Sequence, residues 1–239
     1  MPPQKHTIDS FPALVLASAS PRRREILQGL GLPFTVRPAD IDETPREDEA
    51  PLAYVERLAQ AKARSVARPG EVVLAADTTV ILAGEILGKP ADESDARSML
   101  QRLSGRSHQV ATGIALHRSP PAGSSADAGD PSSTSSGESH GEVETREVET
   151  GEVEICGVEV SEVHFASLTP REIDWYVASG EPMDKAGAYG IQGLAALFID
   201  RLEGSYSNVV GLPVATFYRL GKSLGVDWLE LASAPPGGS

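Results

Sequence analysis

The chain has 239 residues, 40% of them hydrophobic and 23% charged, with a formal net charge of −13 and a single cysteine. That length holds one large α/β domain or two small lobes, and with aromatics at only 5% the core must be mostly aliphatic. A lone Cys156 excludes an intrachain disulfide. The lack of a charged-then-apolar leader or a long apolar run argues against secretion and membrane spanning, so a cytoplasmic location is expected.

The acidity is unevenly placed. Residues 119–160 hold ten acids against one base, Arg146, so the rest of the chain is close to balance and its local basic clusters remain free to bind anions. No broad basic face with interleaved aromatics is present, which argues against a nucleic-acid binder. The five histidines make no zinc-like spacing with one another or with Cys156.

Residues 1–10 read as a loose leader and 11–17 as a buried strand. Ser20 is a good N-cap and Pro21 fits the first helical position, where its missing N–H costs nothing. Arg22 and Arg23 then fall in the first turn, where the helix dipole disfavours cations. They mark either an anion site, most naturally for phosphate, or a capped surface helix whose arginines touch water. A short strand is predicted at 33–36, an acidic turn at 40–43 and an amphipathic helix at 51–67 with Lys62 on its apolar face. That lysine either snorkels outward or points into a cleft.

A buried strand over 71–76 runs into 77–82, turns at Ala83-Gly84 and returns through 85–89. Counting back from that turn, Leu82 faces Glu85 and Thr78 faces Lys89. Asp77 ends the buried run; it is a cap, a metal-binding carboxylate, a general base, or the last two together. Asp42 and Glu43 are candidates for a second carboxylate or an ordinary acidic turn. Lys89, followed by Pro90, is either a site residue or a surface hairpin end.

A helix over 94–103 and a strand over 109–117 follow. Residues 118–157 then change character: 120–137 is rich in Pro, Gly, Ser and Asp and is expected to be disordered. The stretch 141–154 carries a Glu-Val-Glu-Thr repeat, read as coil rather than hairpin because its glutamates would repel along one face. A strand over 158–168 pairs with 109–117, and Thr169-Pro-Arg-Glu172 opens a helix with a capping box. A glycine-rich turn at 187–193, a strand at 194–199, a loop at 206–213 and a final helix at 214–224 complete the chain.

Two arginines at a helix start, two lysines and two carboxylates suit one task. The bases neutralise a polyphosphate, and the carboxylates hold a divalent cation and orient a water. There is no P-loop, no Gly-x-Ser-x-Gly elbow and no candidate covalent nucleophile, which points to direct attack by water.

Six motifs carry a resemblance: Ser18-Ala-Ser-Pro-Arg-Arg23, Ala76-Asp-Thr78, Leu87-Gly-Lys-Pro90, Ser104-Gly-Arg-Ser-His108, the glycine-rich Asp184 to Gly193 and the Gly204 to Pro213 segment. In this order they resemble the Maf family, from about residue 13 to 230 apart from 118–157. The resemblance implies a nucleoside triphosphate pyrophosphatase that cleaves between the α- and β-phosphates, using a divalent metal such as Mg2+ or Mn2+. It implies an α/β, mixed-sheet, two-lobed fold similar to inosine triphosphate pyrophosphatases, with a central cleft. The catalytic domain spans 11–230 and homodimers are common.

By the same resemblance Asp77 is the proton acceptor with Glu43 as its metal-binding partner, and Ser18, Ser20, Arg22, Arg23, Lys62 and Lys89 contact phosphates. Arg22, Thr78 and Gln192 match the branch acting on dTTP and UTP. A glutamine donates and accepts at once, which suits a pyrimidine edge. A second branch acts on 7-methylguanosine triphosphate. The family's link to septum formation and cell-division arrest supplies the alternative of a regulatory binding protein. The 118–157 insert departs from the family pattern; it is expected to be tolerated and to hang away from the cleft.

Overall fold

The computed structural model describes residues 12–121, 143–148 and 151–233. The loose-leader reading of 1–10 and most of the disordered reading of 120–137 lie outside them.

The first strand, β1 (Ala13–Leu16), ends in a serine-rich turn that enters α1 (Pro21–Gly29). Ser20 caps that helix by accepting from the Arg23 amide, as the sequence predicts. A short β2 (Thr35–Val36) and a long loop lead to α2 (Pro51–Val66), whose Val55, Leu58, Ala59, Lys62 and Ala63 face inward. Then come β3 (Glu71–Leu82), β4 (Glu85–Leu87), α3 (Glu93–Leu103) and β5 (Ser107–Arg118). β6 (Val143–Val148), β7 (Glu152–Phe165) and α4 (Pro170–Ala178) follow, and Thr169 and Glu172 complete the expected capping box. The chain closes with β8 (Ile199–Glu203), α5 (Tyr206–Val210), α6 (Val214–Ser223) and α7 (Trp228–Ser233). No helix among the described residues is long and apolar enough to cross a membrane.

The strands form one mixed sheet in the order β2-β1-β3-β5-β7-β6, with β4 added to β3 and β8 to β7. β1 is parallel to β2 and β3, and β3, β5 and β7 are antiparallel to one another. Along β3, β5 pairs one edge from Val72 to Ile81. On the other edge β1 pairs only Glu71–Leu74 and β4 only Val80–Leu82. Among the described residues, 75–79 therefore have no strand beside them on that edge.

Two cores lie on either side of this gap. Leu14, Leu16, Leu74 and Ile114 pack with Phe217, Leu220 and Trp228 at one end. Val80, Leu82 and Val110 pack with Leu100, Phe165, Ile173 and Tyr176 at the other. The long strands β3, β5 and β7 run through both, so the two lobes share a sheet and the cleft opens where its edge is interrupted.

Side-chain alternation sorts β3 residues between the sheet faces. Val73 and Ala75 pack under α2 with Ala59 and Ala63, and Asp77 continues that face. Thr78 continues the opposite face, with Leu74 and Ala76. Gly113 pairs with Asp77 across the ladder, and a Cβ there would sit 2.3 Å from the Val55 carbonyl oxygen of α2. Only glycine lets α2 lie this close to the sheet, which brings Lys62 within reach of Asp77. Gly113→Ala is expected to force the helix off the sheet, costing about 2–3 kcal/mol and lowering Tm by about 5–10 °C in a melting experiment.

Three local expectations change. The stretch 143–148 is strand rather than coil, and β7 starts at Glu152. The hairpin register pairs Arg146 with Glu154 and Glu147 with Val153, so no two glutamates are direct cross-strand partners. The strand expected at 194–199 is a 3-10 turn (Leu194–Phe198), and the strand follows it. Ala195 and Phe198 are its buried residues, a spacing of three that suits that turn and not a strand. The loop expected at 206–213 contains α5, capped by the Ser205 side chain and ended by Gly211 in a left-handed conformation.

Candidate active site

The cleft encloses about 610 Å³. The turn after β1, the start of α1 and the segment after β4 border the gap in the sheet, so Ser18, Ser20, Arg22, Arg23 and Lys89 reach the cleft beside Asp77 and Thr78. The hairpin register is the predicted one, with Leu82 opposite Glu85. The ladder stops at Leu87, so Lys89 is not paired with Thr78 but lines the same cleft. Glu43, Lys62 and Gln192 line it too, the last as an exposed side chain. These candidates thus line one cleft, whereas Asp42, the other candidate for a second carboxylate, does not line it and instead accepts from the Thr44 amide.

At its centre the Lys62 ammonium donates to Asp77 Oδ1 at 2.6 Å and lies 2.7 Å from Glu43 Oε1. Lys62 does not snorkel outward: it is only 8% exposed. A buried ammonium between two carboxylates is paired on both sides, which offsets its desolvation. Asp77 Oδ2 makes no hydrogen bond among the described residues. Burial raises the Glu43 pKa, but the Lys62 hydrogen bond and charge, with Lys89 and Arg23, outweigh it and hold the carboxyl below its ordinary value.

Glu43 sits on a loop fixed to α2. Arg57 clamps Glu49 through Nε to Oε1 at 2.5 Å and Nη2 to Oε2 at 2.7 Å, and also donates to Thr44 O. That bidentate bond, with the Arg46 amide, pulls the Glu49 pKa down to about 2. Tyr54 donates to the Glu43 carbonyl oxygen at 3.0 Å, and burial with the Asp77 and Glu43 charges pushes its hydroxyl up to about 12.

Arg23 does not dangle in water. Its Nε donates to Gly211 O at 2.7 Å, Nη1 to Ser18 Oγ at 3.1 Å and Nη2 to Thr78 Oγ1 at 3.0 Å. A guanidinium has five N–H donors, so two remain for an anion. Desolvation lowers its pKa; Asp77 opposes that, Arg22 adds to it and Glu43 opposes it. Ser18 Oγ also accepts from the Ser20 amide. Arg22 lies 3.7 Å from Asp184 across the cleft. Asp184, Asn208 and Gly211 fell inside motifs quoted from the sequence but were given no role there, and Thr112 was not singled out at all. Ser205 and Gly211, read as the start and stop signals of a short helix, would have located Asn208 and the Arg23 acceptor.

On the neighbouring strands β7 and β8, Glu162, His164 and Glu203 bring three potential metal-ligand side chains together. The Arg201 guanidinium already lies 2.6 Å from Glu203 and 3.3 Å from His164, so that cluster has its own cation.

A mixed α/β fold with a cation-lined cleft and two carboxylates is an arrangement suited to a polyphosphate. Residues 13–224 match the family described as Maf-like protein, and the chain belongs to that family. It is 50% identical over 205 residues to a dTTP/UTP pyrophosphatase of Anaeromyxobacter dehalogenans (strain 2CP-C), covering 85% of this chain and 90% of the relative. Similar relatives bearing the same name occur in Symbiobacterium thermophilum, 48% identical over 84% of this chain and 88% of the relative, and in Hahella chejuensis, 47% identical over 89% and 92%.

Proposed function

We propose that this protein hydrolyses dTTP and UTP to the nucleoside monophosphate and pyrophosphate. The observation that carries the reading is the Asp77–Lys62–Glu43 bridge in a cleft also lined by Arg22, Arg23 and Lys89. Four cations match the charge of a triphosphate, and the pair of carboxylates matches the need to accept a proton. Asp77 Oδ1 is held by Lys62, which leaves Oδ2 to take the proton of the attacking water. Oxygen of that water bonds the α-phosphorus as the bond to the bridging oxygen breaks, and pyrophosphate leaves with the electron pair. Arg22, Arg23 and Lys89 stabilise the charge on the phosphate oxygens, with Ser18 and Ser20 beside them.

Asp77 and Glu43 are hard oxygen donors that already share one cationic partner, and they fit a divalent cation such as Mg2+ or Mn2+. Such a cation, when bound, supplies Lewis-acid polarisation of phosphoryl oxygens. Gln192, which lines the same cleft as Arg22 and Thr78, offers a donor and an acceptor to a pyrimidine edge. A cytoplasmic location is supported by the single, buried cysteine, and a homodimer by the family resemblance.

The test is pyrophosphate release from dTTP, UTP, CTP, GTP and 7-methylguanosine triphosphate with Mg2+ or Mn2+. Release from dTTP and UTP over the others is expected. Preference for the methylated guanosine nucleotide would keep the reaction and discard the roles of Arg22, Thr78 and Gln192. No release from any would favour the regulatory alternative.

A further inference from the structure

Behind the cleft, the directions of three successive hydrogen bonds are fixed by proton count. Thr112 Oγ1 donates to the Asn208 carbonyl oxygen at 3.0 Å. A hydroxyl has one proton, so in the 3.0 Å contact between Thr112 and its cross-strand neighbour Thr78, the donor is Thr78. Thr78 then meets Arg23 Nη2 only as an acceptor. The far end is anchored: Asn208 is 0% exposed, and its Nδ2 donates to Val110 O at 3.0 Å and Ser161 Oγ at 2.9 Å.

We propose that Thr112 is a positioning residue for the proposed reaction: acting through Thr78, it holds the Arg23 guanidinium so that its two unused N–H groups face a bound phosphate. The inference rests on the proposed function for its substrate. Thr112 is fully buried, so it touches no substrate. Its effect has two parts. It removes the Thr78 proton from the cleft, so Thr78 presents lone pairs alone to Arg23 and substrate. It also ties Thr78 to α5, whose C-cap Gly211 holds Arg23 Nε, so two of the three contacts on Arg23 lead back to one short helix and the third goes to Ser18. A buried chain of hydrogen bonds of this kind fixes one geometry, and the Asn208 amide nitrogen anchors its far end.

The substitution that isolates this role is Thr112→Val. Valine fills nearly the same volume, and the Asn208 carbonyl keeps a second donor, the Gly211 amide at 2.9 Å. Melting temperature is therefore expected to stay near that of the unmodified protein. For dTTP hydrolysis, kcat/KM is expected to fall about tenfold, chiefly through KM. Thr112→Ser should restore it to within about twofold. In a double-mutant cycle, Thr78→Val combined with Thr112→Val should be no worse than Thr78→Val alone, because Thr112 has nothing left to act through. Unchanged kcat/KM in Thr112→Val, or losses that multiply in the double variant, would overturn the assignment. If Thr112→Val does not fold, Thr112→Ala enters the same cycle. If the unmodified protein hydrolyses no triphosphate, the proposed function falls. Calorimetric affinity for inorganic tripolyphosphate across the same variants then decides: weaker binding with rescue by serine supports positioning, and equal binding overturns it.

Discussion

Asp77→Asn is expected to lower turnover by about 10²–10⁴-fold while leaving the fold and nucleotide binding in place. The amide keeps an oxygen to accept from Lys62, so the local geometry survives. What it loses is the ability to take a proton from water. Asp77 is also flanked by Gly113 across the ladder and lies under α2, where a neutral side chain of the same shape causes no clash. Removing one negative charge from a cleft rich in bases leaves affinity for a triphosphate equal or tighter. Single-turnover pyrophosphate release, paired with calorimetric binding of a non-hydrolysable analogue, separates the two effects. Normal turnover would sink the role given to Asp77.

Lys62→Met is the second large effect, and its signature is in the pH profile. Lys62 joins Asp77 and Glu43 and is the main influence holding the Glu43 pKa below its ordinary value against burial. Without the ammonium, burial remains and the Asp77 charge is no longer neutralised. Both raise the Glu43 pKa. A carboxyl with a higher pKa is ionised over a narrower range, so the acid limb of kcat/KM against pH should move to higher pH. At the plateau, loss of the ammonium that holds Asp77 and Glu43 together is expected to cost about 10²–10³-fold. A profile whose acid limb stays put would mean that Lys62 does not govern these carboxylates.

Much of the site was legible because its residues carry strong local signals. Ser20-Pro21 announces a helix start, the Ala83-Gly84 turn sets a register, and Lys62 stands out on an apolar face. The hairpin register was enough to bring Lys89 near Asp77 and Thr78, while Lys62 could still point to solvent or into a cleft. What stayed hidden depends on contacts far apart in the chain. Arg23 reads as a free cation until Gly211, Ser18 and Thr78 close around it. Thr112 looks like any strand threonine until α5 is placed above it. The fold was misread where propensity was weak: 143–148 gains its strand from pairing with β7, and 194–198 turns because Ala195 and Phe198 are buried three residues apart. The capping box at Thr169, a purely local device, was read correctly.

The break in strand pairing beside residues 75–79 also separates two kinds of selection. Ladder hydrogen bonds tie most of β3 to its neighbours, and changes there are penalised by lost folding. Ser18, Lys89 and Gln192 border the cleft from turns that support no ladder, so their identity is free of that penalty. On the proposed function, new base preferences can therefore arise by replacing a rim side chain such as Gln192 while the sheet, the α2 lysine and the aspartate stay fixed. A scaffold built this way lets one hydrolytic engine diversify across nucleotides with little loss of stability at each step.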